Sequence, residues 1–218
     1  MRLGLELIVI GGGGHAKVVI SSLHASGWKV CAIYDDDSRK WNQSIMGIPI
    51  TGPIDRLGEP DHLPAVIAVG DGMFRKHLVE RYERDWVKVI HPRAHVASTA
   101  TVGDGTVVFA GAVIQADVVI GSHAIINTSA SVDHDCVISD YTHIGPGSHL
   151  SANVQVHRGT FLGTGTQAIP GVTIGEYSIV GAGATVVRDI PSHVVAVGCP
   201  AKVIKANMVE LYRKNHKP

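Results

Sequence analysis

From Ile90 to Val186 an aliphatic residue stands at every sixth position. The series runs through Val96, Val102, Val108, Ile114, Ile120, Ile126, Val132, Ile138, Ile144, Leu150, Val156, Leu162, Ile174 and Val180, with only Ala168 weak. No insertion breaks the register. Two residues before most of these sits a small or β-branched residue, such as Ala112, Ala124, Cys136, Thr142 or Ser148. A period of six fits neither a helix nor a simple strand. It is the hexapeptide repeat of a parallel β-helix, in which three hexapeptides make one triangular coil. The aliphatic residue points inward, and the residue two before it sits near a corner that admits only a small side chain. Gly103, Gly121, Gly145, Gly163, Gly175 and Gly181 follow their aliphatic residues, as expected where the chain turns without a Cβ clash.

The chain has 218 residues, enough for a second, smaller domain before the coil. Its 19 basic and 19 acidic side chains balance, which argues against nucleic acid or an anionic membrane surface as a partner. No apolar run approaches the roughly 18 residues that span a bilayer. The start, Met1 to Glu6, lacks a secretory apolar region. Cys31, Cys136 and Cys199 have neither disulfide nor zinc spacing. A reducing cytoplasm is the expected location. Cys136 falls on an inward small-residue position and reads as a buried hydrophobe.

Before the repeat, Leu5 to Ile10 reads as a strand that ends in Gly11-Gly12-Gly13-Gly14-His15. A helix over Ala16 to Leu23 follows, then a strand over Lys29 to Tyr34 that ends in Asp35-Asp36-Asp37. Ala65 to Val69 is a further strand before Gly70-Asp71-Gly72, a helix runs from about Phe74 to Glu83, and Trp86 to Ile90 is the last strand. This is a Rossmann-like βαβ pattern with a parallel sheet. The expected domains are 1–91, a β-helix over 92–205, and a short helical tail over 206–218. The glycine turn formally matches the dinucleotide fingerprint. No second mononucleotide half follows, so a half-site holding a nucleotide-linked substrate is favoured over NAD, FAD or a purely structural turn. Bare N–H groups at a helix start suit a phosphate, and carboxylates at the end of the second strand suit sugar hydroxyls or an amine.

Thirteen histidines invite a metal reading. The candidates His123, His134, His143, His149 and His157 lack the i, i+5 pair used by the β-helix carbonic anhydrases, and no metal is expected. His134 stands apart. It lies two residues beyond the inward Val132, so it projects outward, and Asp133 and Asp135 flank it. A neighbouring carboxylate that accepts the Nδ1 proton leaves Nε2 as a general base.

The segments GGGGHAKV (11–18), Asp35-Asp36, NTSASVDHDC (127–136), the hexapeptides and VGCPAKVI (197–204) together resemble one family. It is the bacterial sugar O-/N-acyltransferases, which include sialic acid O-acetyltransferase and the N-acetyltransferases of nucleotide-linked 4-amino-4,6-dideoxy sugars. The resemblance implies an α/β N-terminal domain on a left-handed β-helix, a homotrimer, and acetyl-CoA in the groove between adjacent β-helices. It implies His134 as general base oriented by Asp135, and His143, Ala152, Thr164 and Ala182 at the acetyl-CoA site. It also implies Gly13, Gly14, His15, Asp35, Asp36 and Gly70 around the nucleotide-sugar. The stretch from about Arg39 to Pro64 does not match. The leading expectation is N-acetylation of a nucleotide-linked amino sugar. O-acetylation of sialic acid or a related sugar, and an inactive trimeric sugar-nucleotide-binding module, are the alternatives.

Overall fold

The structure is a computed structural model that describes residues 5–58 and 63–207. The first domain runs β1 (Glu6–Ile10), α1 (Gly14–Ala25), β2 (Lys29–Tyr34), β3 (Ser44–Ile45), β4 (Ile48–Gly52), β5 (Ala65–Ile67) and α2 (Gly72–Arg81). The sheet order is β3-β4-β2-β1-β5, parallel except for the β3–β4 hairpin. The central strand β1 is buried on both faces, which is why Leu7 to Ile10 reads as an unbroken apolar run. The helix α2 begins before Phe74 because the Asp71 carboxylate accepts from the Phe74 N–H at 3.0 Å, capping the helix at its first turn. The unmatched stretch supplies the β3–β4 hairpin, which adds β4 alongside β2.

Packing of α1 joins the two domains. Its buried stripe, Ala16, Val19, Ile20 and Leu23, clusters with Leu7 and Val9 of the sheet and with Val107, Phe109 and Ile125 of the coil. The opposite face of the sheet, Ile8, Ile10 and Ile67, packs with Leu57 and Leu78. The passage between domains lies within the segment Trp86 to Ile90. Trp86 bridges to Ala65, whereas Val89–Ile90 pairs in parallel with Val107–Val108 and so forms the first rung of the coil.

The remainder is a left-handed parallel β-helix of two-residue strands on three faces. The first face stacks Val107–Val108, Ile125–Ile126, His143–Ile144, Phe161–Leu162 and Ile179–Val180. The second stacks Val113–Ile114, Ser131–Val132, His149–Leu150, Gln167–Ala168 and Thr185–Val186. The third stacks Val119–Ile120, Val137–Ile138, Gln155–Val156 and Thr173–Ile174. The inward aliphatic residues form one core column with the small residues that precede them. The small hydroxyls bond the backbone of the next coil: Thr106 Oγ1 donates to the Gly121 carbonyl at 2.8 Å, Ser148 Oγ to Gly163 at 2.9 Å and Thr160 Oγ1 to Gly175 at 2.7 Å. These bonds explain why threonine and serine are tolerated in an apolar column. Cys136 is fully buried, and burial pushes its thiol up to about 11.

The glycines after the aliphatic residues are needed for a different reason from the turn expected. Their φ angles are ordinary, but a Cβ on Gly163 would lie 2.5 Å from the Ala182 amide nitrogen, in the next coil. They permit close stacking of successive coils. The left-handed φ angles fall at another corner position, taken by Asp117, Asp135, Tyr141, Asn153, Gly147 and Gly165.

At the far end Val194–Val197 pairs in parallel with Ile179–Val180, and Lys202–Ala206 folds back antiparallel on it. Of the tail expected over 206–218 only Ala206, the last residue of this strand, and Asn207 are described, and 208–218 lie outside the described residues.

Candidate active site

His134 follows the second-face strand Ser131–Val132, at the edge between the second and third faces. It projects outward, with about half of its side chain exposed. Its Nδ1 lies 2.7 Å from Asp135 Oδ2, and its backbone N–H donates to Asp133 Oδ1 at 2.8 Å. Asp135 occupies a left-handed corner position, φ 60°, a conformation that aspartate tolerates better than most residues. The corner sets the carboxylate beside the ring that precedes it. The hydrogen bond to Asp135, with the charges of Asp133, Asp135 and Asp117, raises the His134 pKa above the usual imidazole value. The result is a half-exposed imidazole with Nδ1 engaged and no partner for Nε2 among the described residues.

Ala152 sits on the same edge one coil on, where the Asn153 N–H donates to the His134 carbonyl at 3.1 Å. Its own carbonyl accepts from Gly171 N–H at 3.0 Å, and its N–H has no partner among the described residues. Thr164 and Ala182 stack on the other edge of the second face, linked by the Gly183 N–H donating to the Thr164 carbonyl at 2.8 Å. The four residues thus flank one face, whose outward side chains include Ser131 and His149, paired Oγ to Nδ1 at 2.8 Å.

His143 is elsewhere. It opens a first-face strand and lies under the N-terminal domain, where its Nδ1 is 3.3 Å from the Gly70 carbonyl and its Nε2 is 3.0 Å from Asn127 Nδ2. Its ring meets Phe161 at 5.0 Å and His15 at 6.1 Å between centroids. Burial, then the charges of Arg75 and His15, depress it to about 3. His15 packs edge-on against Phe109 at 5.4 Å, its Nε2 is buried without a partner among the described residues, and burial with Arg75 lowers it to about 4. A cavity of about 340 Å³ opens beside this seam, lined by Gly70, Asp71, Tyr141, His143, Phe161 and Tyr177 among others.

The glycine turn leaves an open helix start. Gly13 caps α1 with no side-chain hydrogen bond, and a Cβ on Gly13 or Gly14 would meet nothing within 4 Å. Gly11 is different: its φ is 103° and a Cβ there would lie 2.6 Å from Val69 Cγ2. Asp35 is committed to the protein. Its Oδ2 accepts from Gly12 N–H at 2.6 Å and Lys40 Nζ at 2.9 Å, and its Oδ1 accepts from Asp37 N–H at 2.8 Å. Burial pushes its pKa up, but these bonds outweigh it and hold the carboxylate below the usual range. Asp36 Oδ1 accepts from Ile54 N–H at 2.8 Å, and the residue is exposed.

Arg75, Asn127 and Lys40 are polar groups at these places to which sequence reasoning gave no role. Asn127 carried a faint signal, since it opens the segment that ends in the His134 pair. Among the described residues no group of three or more His, Cys, Asp or Glu is placed to hold a metal ion, and no helix is long and apolar enough to cross a membrane.

A family model described as the PglD N-terminal domain matches residues 6–82, and one described as bacterial transferase hexapeptide (six repeats) matches 153–188. The chain is 43% identical over 114 residues to UDP-N-acetylbacillosamine N-acetyltransferase of Bacillus subtilis (strain 168). That match covers 48% of this chain and spans about half, 51%, of the curated relative. Among solved structures, PerB of Caulobacter crescentus in complex with CoA and GDP-perosamine is 43% identical with a TM-score of 0.84, covering 93% of this chain and 98% of that one. The acetyltransferase domain of PglB of Neisseria gonorrhoeae FA1090 in complex with acetyl coenzyme A is 36% identical with a TM-score of 0.86, covering 92% and 100%.

Proposed function

The chain belongs to the bacterial sugar acyltransferases that join a PglD-type domain to a hexapeptide β-helix, and from that membership we propose that it N-acetylates the amino group of a nucleotide-linked amino sugar, with acetyl-CoA as donor. The observation that carries the reading is the His134–Asp135 pair, 2.7 Å apart on an open edge of the coil. The Caulobacter crescentus relative is a perosamine N-acetyltransferase seen with CoA and GDP-perosamine, and the PglB domain is an acetyltransferase seen with acetyl coenzyme A, which supports the donor and the acceptor class.

In the proposed reaction the thioester lies along the edge that carries His134 and Ala152. The sugar amine attacks the thioester carbonyl while His134 Nε2 takes its proton, Asp135 holding Nδ1–H and steadying the imidazolium. The Ala152 N–H meets the developing oxyanion. The C–N bond forms, the C–S bond breaks, and the thiolate leaves or recovers the proton from His134. The sugar's diphosphate lies at the open start of α1, over Gly13 and Gly14, and Asp36 and Gly70 border the same site. Asp35 supports that turn from beneath.

A second protomer is part of this proposal. The N-terminal domain packs on the first face, whereas His134 lies on the edge between the second and third faces, the far edge of a triangular prism. A sugar held at α1 therefore reaches a neighbour's His134 more readily than its own, which favours the homotrimer with sites between protomers. The proposal places the enzyme in the cytoplasm with both substrates.

The test is thiol release from acetyl-CoA against a panel of amino-sugar nucleotides. His134→Ala should lower kcat by about 10²–10⁴-fold with the oligomer intact. An unchanged kcat in that variant would remove His134 from the mechanism.

A further inference from the structure

Arg75 is 1% exposed and sits on α2 where the two domains meet. Its guanidinium donates to backbone carbonyls on both sides. Nη1 reaches Val69 at 3.0 Å and Gly70 at 2.8 Å in the N-terminal domain. Nη2 reaches Tyr141 at 2.7 Å and Thr142 at 3.2 Å, the two residues that precede His143, and Nε reaches His123 at 2.9 Å. Burying a charge is costly unless its hydrogen bonds are met, and here carbonyl groups surround the whole fork. Burial draws Arg75 down to about 10, so it stays charged at neutral pH, with Asp71 nearby favouring the charge.

The Gly70 carbonyl accepts from Arg75 and faces His143 Nδ1. A carbonyl only accepts, so Nδ1 carries the hydrogen. Nε2 then holds a lone pair and faces the Asn127 amide. Asn127 Oδ1 accepts from Thr128 N–H at 2.8 Å, which turns Nδ2 toward the ring as donor. One line of hydrogen bonds thus runs from α2 through Gly70 and His143, which both line the cavity beside the seam, to Asn127.

We propose, on the transferase reading above, that Arg75 is a positioning residue for acetyl transfer: by fixing the Gly70 carbonyl and the backbone before His143 it holds His143 as the Nδ1–H tautomer. The neutral ring keeps Nε2 as an acceptor and the Asn127 amide in a single orientation. The charge on Arg75 acts in the same direction, since a cation beside the ring disfavours a second proton on it. Arg75 itself touches neither substrate. It acts through Gly70 and His143.

Long-range ¹H–¹⁵N spectra of the labelled full chain read the tautomer directly, with His143→Gln assigning the ring. The wild-type ring is expected to be neutral with Nδ1 protonated at pH 7. An Nε2–H tautomer or a charged ring overturns the proposal, whatever any variant does. Arg75→Lys keeps the charge but lacks the planar fork. It is expected to mix the two tautomers and to lower kcat/KM for the accepted amino-sugar nucleotide by about 10- to 100-fold, the scale of a misplaced site. A wild-type tautomer together with wild-type kcat/KM in that variant also overturns it. Arg75→Gln, small enough to retain some of the carbonyl contacts, takes its place if Arg75→Lys does not fold. The spectra need no turnover. Absence of thiol release with every acceptor would therefore reject the transferase reading while leaving the tautomer measurement interpretable.

Discussion

Asp135→Asn separates the two effects of that residue on His134. The carboxylate raises the imidazole pKa, first by its hydrogen bond and then by its charge. A general base works in its neutral form, so activity should rise with pH through a midpoint above the ordinary histidine value. Asparagine tolerates the left-handed corner and keeps an acceptor for Nδ1–H, but it removes the charge. The acid limb of kcat/KM should therefore move to lower pH and the plateau should fall. A pH profile identical to wild type would show that Asp135 does not orient the base. The outward position of His134 beside an acid was legible in the sequence because two acids flank an outward register position. The Arg75 contacts were not, because its partners in the coil lie 48 to 67 residues away along the chain and its own helix shows no pattern that singles it out.

Each coil is built from two kinds of special position, and substitutions should tell them apart. Gly163→Ala puts a methyl group against the backbone of the next coil, where nothing can rotate away. We expect about 1–3 kcal/mol of destabilisation in chemical denaturation, the usual cost of overpacking. Gly147 has a left-handed φ of 61° and open space where its Cβ would be. Gly147→Asn should therefore stay within about 0.5 kcal/mol, as for a surface change away from packed features. Equal costs at the two sites would contradict the stacking argument. The repeat made the inward column legible because that column depends only on period. It did not separate stacking glycines from turning ones, because both are the same letter at fixed offsets. The β3–β4 hairpin was missed for a related reason: a two-residue strand leaves too short a pattern to detect.

The distance between α1 and His134 around the prism bears on the whole assembly. If each site takes His134 from one protomer and the glycine turn from its neighbour, two dead variants should complement each other. Gly14→Val fills the open space at the helix start without touching the packed core. Co-expressed with His134→Ala, it should give a random population of trimers in which about a quarter of all sites, one in each mixed trimer, combine two wild-type halves. Activity near that fraction, against almost none for either variant alone, is the expected result. No recovery in trimers shown by mass to be mixed would place the whole site within one chain. The two-domain plan was legible from the change of period near Ile90. The seam between the domains was not, because it depends on which face of the coil α1 covers, and a repeat of six treats all three faces alike.

The hairpin formed by Val194–Val197 and Lys202–Ala206 sets a limit on growth. A ladder of parallel rungs ends in a row of unsatisfied amides and carbonyls, and such a row is a template for another chain. Here the last rung of the first face is covered by a strand running the opposite way, which carries the exposed Lys202 and Lys205. Antiparallel closure breaks the pattern that a further coil would have to copy. A chain cut before Val194 would present that pattern bare, and it should string end to end into filaments visible by electron microscopy where the intact protein stays discrete.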